Sequence, residues 1–83
     1  MKTNYTLTQA IAKRIKELLY STKITQYRLT KTTCLSEKTI RDILHERTSD
    51  VKISTLYLIA NAFGLSLNEF FDSSIFDEKN ILI

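Results

Sequence analysis

With 83 residues, no proline, one glycine and one cysteine, the chain has the length of one small domain and too little turn material for a set of hairpins, which leaves helices joined by short polar turns. A lone cysteine, Cys34, excludes an internal disulfide and, with no basic-then-apolar leader pattern at the start, points to a cytoplasmic protein. The formal charge is only +3, yet residues 1–52 hold eleven Lys and Arg against five acids (a balance of +6) while residues 53–83 hold one against four (a balance of −3), as suits a protein that offers one face to a polyanion.

The first helix is announced by Thr6-Leu7-Thr8-Gln9, a capping box. Leu7, Ile11, Ile15, Leu18, Leu19 and Thr22 then recur at helical spacing, which predicts a helix over 7–21. Thr25 caps a second, short helix over 26–33, with Leu29 and Thr33 facing inward. Ser36 caps a third, about 36–45, with Glu37 at its positive end and Ile40, Ile43 and Leu44 as the buried stripe. Residues 46–52 read as a loop. Ile53, Leu56, Ile59, Ala60 and Phe63 mark a fourth helix that ends at Gly64, a residue suited to a left-handed cap. Ser66 and Glu69 make a second capping box, and Leu65 and Phe70 occupy the positions of a hydrophobic staple, so a fifth helix follows. The expected division is a body over 1–72 and a C-terminal tail over 73–83 with no clear period and an apolar end. The uncharged run 53–68, broken by Ser54, Thr55, Asn61 and Ser66, is too short and too polar to span a membrane.

Residues 26–45 carry the functional signal. Leu29, Thr30 and Thr33 before a tight turn, then Leu35, Ile40 and Ile43 after it, bury one side of two short helices against each other and against the first. The outer side of the second helix is left free, a shape that fits the major groove of duplex DNA. Taking Ile40 as inward, 100° per residue turns Lys38, Arg41, Asp42 and His45 outward and sets Glu37 and Thr39 at the edges. Glu37, Lys38, Thr39, Arg41 and Asp42 are therefore the candidate base readers. Lys38 or Arg41 would favour guanine, and Glu37 would accept from the cytosine amino group. Asp42 suits either a cytosine or the orientation of Lys38 or Arg41. Thr25, Gln26 and Ser36 offer hydroxyls, an amide and helix-start N–H groups to phosphate oxygens. Arg28 and Arg47, with Lys31 and Lys52, add charge nearby.

The stretch ITQYRLTKTTCLSEKTIRDIL, followed by ISTLYLIANAFGLSLNEFFD, resembles the Cro/repressor (Xre-type) helix-turn-helix family over about residues 10–72. The resemblance implies an all-α, compact five-helix, lambda-repressor-like domain. It implies a sequence-specific, double-stranded DNA-binding transcriptional regulator, a repressor, and a phosphate role for Gln26 in particular. Dimers of this motif bind half-sites about one helical turn apart, so a homodimer is expected. Its surface would be the fifth helix with Phe70 or Phe71 plus the apolar tail, unless Phe70, Phe71 and Ile75 finish the core. Three departures stand out. Cys34 replaces the usual turn glycine and must take a positive φ, Thr30 replaces a small alanine where the helices cross, and Leu19 and Leu44 occupy the positions of an ion pair. A swap of that pair for packed leucines predicts that the two touch.

Other classes find little support. His45 has no ligand set at metal spacing and Cys34 has no partner base, so no enzyme activity, metal or cofactor is expected. The four tyrosines do not form a base-stacking platform for single strands. A protein-interaction adaptor or antitoxin-like module on the same fold is the second reading, because Glu37 and Asp42 each repel phosphate.

Overall fold

Four of the five helices begin where a hydroxyl supplies the acceptor that a first turn lacks. The computed structural model describes residues 5–81. Helix α1 (Leu7–Thr22) is capped by Thr6, whose side chain accepts from the Gln9 amide at 3.3 Å while Gln9 Oε1 accepts from the Thr6 amide at 3.0 Å. Thr25 accepts from the Arg28 amide to open α2 (Gln26–Thr33), and Ser36 accepts from the Thr39 amide to open α3 (Glu37–Leu44). Helix α4 (Ile53–Ala62) starts at Lys52 with no side-chain cap bond. The short α5 (Leu67–Phe70) begins with the reciprocal Ser66–Glu69 box. Two 3₁₀ turns, Ser74–Phe76 and Glu78–Asn80, follow, and an isolated parallel bridge joins Tyr5 to Ile81.

Helix ends are where the scarcity of glycine is felt. Gly64, at φ +76, closes α4 in a Schellman arrangement: the Leu65 amide reaches the Ala60 carbonyl and the Gly64 amide reaches Asn61. The other left-handed positions fall on Lys23, Cys34 and Glu46, each near φ +60. Cys34 was expected there from the sequence; Lys23 and Glu46 were not. Each such residue costs about 1–2 kcal/mol that glycine would not. Cys34→Gly is therefore expected to stabilise the domain by up to about 1 kcal/mol, after about 0.5–1 kcal/mol of lost backbone restriction is returned. The exposed thiol makes only a 3.8 Å contact with the Lys31 carbonyl, which is little to lose. A thermal melt should show a midpoint raised by a few degrees; a lower midpoint contradicts this reading.

The core is one cluster: Ile11, Ile15 and Leu18 of α1, Leu29 of α2, Ile40, Ile43 and Leu44 of α3, Leu56, Ile59 and Ala60 of α4, and Phe70 of α5. The stripes predicted for α2 and α3 are buried as expected. Leu44 lies in the cluster and Leu19 is half-buried against the cluster as a whole, so both positions of the family's ion pair belong to the apolar interior here. Thr30 and Thr33 are buried where α2 meets its neighbours, and each hydroxyl donates to a carbonyl one turn back, Gln26 at 3.0 Å and Leu29 at 2.9 Å. Those bonds let a β-branched polar residue replace a small apolar one without orphaning its oxygen.

Three positions of the predicted stripes do not hold: Thr22, at the end of α1, is exposed, and so are two apolar residues. Leu7 is 53% exposed and Ile53 is 73% exposed, because each is the first residue of its helix, where a stripe can project beyond the body it packs on. Ala10 and Ala12 of α1, outside the predicted stripe, are both fully buried. Helix α1 is covered on more than one side: it packs against α3 and also against the first 3₁₀ turn. Phe70 is fully buried and Ile75 nearly so, which makes both part of this chain's own interior, while Phe71 stands at the edge with 37% exposure. The last two residues of the apolar end, Leu82 and Ile83, lie outside the described residues.

Arg14 closes the body. Its Nε donates to the Phe70 carbonyl at 2.7 Å and an Nη to the Glu69 carbonyl at 3.0 Å, so a cation from α1 satisfies the C-terminal end of α5. Glu17 lies 3.7 Å from the same guanidinium.

Candidate nucleic-acid interface

The outer side of α3 is open. Glu37, Lys38, Arg41 and His45 are exposed, Asp42 is partly so, and Thr39 is half-buried at the flank. The helix is held from beneath by Ile40, Ile43 and Leu44 in the core and packs against α1 and α2. Its start is rigid: Ser36 Oγ takes the Thr39 amide at 3.0 Å and lies 2.8 Å from the Thr39 hydroxyl, while Glu37 sits in the first turn where the helix dipole favours an anion. That engagement leaves less freedom in the Ser36 and Thr39 hydroxyls than their positions in the sequence suggest.

The candidate residues fall into separate groups around this helix. Gln26, at the start of α2, shares a small notch of about 170 Å³ with Tyr27, Thr30, Glu37 and Arg41. A backbone-clamp candidate and a base-reading candidate thus stand side by side. Tyr27, 64% exposed, was not singled out from the sequence, although its ring carries Lys31 Nζ at 5.3 Å from the centroid and so adds a cation to this side. Thr25 and Arg28 line a different groove, with Lys23 and Thr32 beside the end of α1. Thr25 already accepts from the Arg28 amide at 3.1 Å. The structure therefore does not unite Thr25 and Arg28 with Gln26 and Arg41 in one pocket.

The crest of α3 carries an ion pair. Lys38 Nζ donates to Asp42 Oδ2 at 2.6 Å, with the lysine side chain 77% exposed and the aspartate 24%. That hydrogen bond holds the Asp42 carboxyl below the usual carboxylate range; desolvation opposes it, and the charges of Lys38, Arg47 and Arg41 reinforce it. Asp42 is an anion at any pH near neutrality. Arg47 is brought close by the end of α3: with Glu46 left-handed, the Arg47 amide folds back to the Asp42 carbonyl at 2.8 Å and the Glu46 amide to Ile43 at 3.2 Å. The sequence allowed Asp42 either to meet a base or to orient a neighbour. In the free protein it holds Lys38.

Among the described residues no group of three His, Cys, Asp or Glu side chains is placed to hold a metal ion, and no helix is long and apolar enough to cross a membrane. One surface was missed in the sequence. Ile53, Tyr57 and Leu58 of α4 are all exposed, and the uncharged run 53–68 was the available signal.

No curated protein and no solved structure matches the chain. Residues 14–73 match the family model of the Cro/C1-type helix-turn-helix DNA-binding domain, a span that begins at the arginine clasping α5 and runs through α2, the turn at Cys34, α3, α4 and α5. Taken with the open outer face of α3, that match places the chain in the family of Cro/C1-type helix-turn-helix DNA-binding domains.

Proposed function

We propose that the protein is a sequence-specific transcriptional regulator, a repressor in the cytoplasm, that inserts α3 into the major groove of double-stranded DNA as a homodimer. The observation that carries this reading is the exposed, charged outer side of α3 on a helix whose inner side is locked in the core. Glu37, Lys38, Thr39, Arg41 and Asp42 are its base-facing residues. Thr25, Gln26, Arg28, Ser36 and Arg47 are its phosphate-facing ones, spread over the α2 start, the α3 start and the loop after α3. Arg41 suits the two acceptors of a guanine edge, and Glu37 the amino group of a cytosine. A single domain of this size contacts few phosphates and binds weakly, which is the physical reason to pair two copies. Phe71, exposed beside Phe76 with ring centroids 4.9 Å apart, is the apolar residue of the α5 end still available for such a pairing.

Selection of sites from random duplexes tests the reading. The expected result is a palindromic consensus whose half-sites lie about 10–10.5 base pairs apart, centre to centre, with affinity that falls steeply as salt rises. Absence of any salt-dependent affinity for duplex DNA rejects the reading in favour of an adaptor that binds another protein.

A further inference from the structure

The charges on α3 do not add up to a cation. Residues 37–44 hold Glu37 and Asp42 against Lys38 and Arg41, so a helix read as meeting DNA contributes no net attraction to it. Lys38 and Asp42 straddle the outward direction of the helix and are already joined at 2.6 Å. Their order, cation before anion at four-residue spacing, is the less favourable one for a helix, where the anion belongs nearer the N-terminus. Helix stability is therefore a weak reason for the pair.

Asp42 faces cations from two sides. Lys38 and Arg41 lie on its own helix, and Arg47 comes from the loop, drawn in by its amide's bond to the Asp42 carbonyl. Farther along the loop, Lys52 and Asp50 line the same open groove as Asp42, together with Thr39 and Thr48. Arg41 has no carboxylate within ion-pair distance among the described residues. One cation on the crest is tied and the other is free.

Resting on the reading of α3 as the DNA-facing helix, we propose that Asp42 is a positioning residue for specificity: by holding Lys38 along the crest of α3 it denies that ammonium to phosphates of arbitrary sequence, and Lys38 is released only where a base edge can replace the carboxylate. A lysine bound in this way does not act as a free point charge, so weak grip on random DNA is traded for discrimination. Grip on arbitrary duplex scales with the number of phosphates neutralised, whereas discrimination depends on groups that reward one base edge and penalise the others.

The experiment measures affinity for a random duplex and for a selected duplex across a salt series, using the full chain and the variants Asp42→Asn, Lys38→Gln and the double variant. Asp42 is partly exposed and among the described residues its side chain bonds only Lys38, so an unchanged melting midpoint verifies that each variant folds. The expected result for Asp42→Asn is a several-fold gain on random duplex, with the log–log salt slope steeper by about 0.9 for one added phosphate contact. The selected site gains less, so the ratio of the two affinities falls. In the Lys38→Gln background most of that gain vanishes. A gain of equal size in that background overturns the proposal, since Asp42 then acts by its own charge and not through Lys38. A loss confined to one base pair of the selected site, with random-duplex affinity unchanged, also overturns it and makes Asp42 a direct reader. If the unsubstituted chain shows no salt-dependent binding to any duplex, the DNA reading itself fails and the proposal falls with it.

Discussion

Replacing Phe70 with alanine is expected to cost about 3–5 kcal/mol, the range for truncating a buried aromatic ring. Phe70 is the largest fully buried side chain, and α5, which carries it, has only four residues. Its ring meets Phe71 edge-on at 5.2 Å and lies 6.2 Å from Phe76, and its carbonyl takes the Arg14 guanidinium. The ring thus joins α5 to the first 3₁₀ turn, while the backbone carbonyl of the same residue ties α5 to α1. At about 0.05–0.15 kcal/mol per residue, a domain of this length has roughly 4–12 kcal/mol in all, so the loss is a large part of the total. A circular-dichroism melt should fall by roughly 12–40 °C, given about 4–8 °C per kcal/mol for a small domain. Phe71→Ala, at the exposed edge, should cost far less. Equal losses from the two variants would mean that the chain's own core does not depend on the ring assigned to its centre.

For DNA, the largest single effect is expected from Arg41→Ala. A bidentate contact to guanine contributes about 1–3 kcal/mol of discrimination, so affinity for the selected site should fall by roughly 5- to 150-fold and the preference at one base pair should flatten. Gln26→Ala is the informative contrast, since the two residues share one notch. It should weaken selected and random duplexes by a similar factor, and the salt slope should not change, because an amide neutralises no phosphate. A uniform loss from Arg41→Ala, with no base pair singled out, would remove it from the set of readers.

Much of this architecture is written in short-range chemistry. Thr6, Thr25, Ser36 and Ser66 announce four helix starts because a cap is a bond between residues two or three apart. Ile40, Ile43 and Leu44 announce the inner side of α3 because one turn places them together, and Lys38 and Arg41 then face outward as a consequence. The same local logic overreached at Leu7 and Ile53. Periodicity assigns a direction around the helix axis, but it does not say whether a neighbour is present at that height along it. Cys34 could be placed in a left-handed turn because the helix-turn-helix resemblance supplied the geometry; Lys23 and Glu46 carried no such sign.

What lay beyond local chemistry was every decision that needs two distant segments to meet. The Arg14 clasp on Glu69 and Phe70 spans 55 and 56 positions, and nothing near Arg14 in the chain marks it. The return of the tail onto α1, which buries Ile75 and pairs Tyr5 with Ile81, likewise depends on the shape of a completed body. By itself, then, the sequence determined where the helices begin, which sides of α2 and α3 turn inward and which family the chain resembles, because caps, periods and motifs are properties of neighbouring residues. Only the tertiary structure decided that Phe70 and Ile75 are interior, that Gln26 and Arg41 line one notch while Thr25 and Arg28 line another groove, and that Asp42 holds Lys38. Each of those outcomes follows from which surfaces pack together and which side-chain partner then lies within reach.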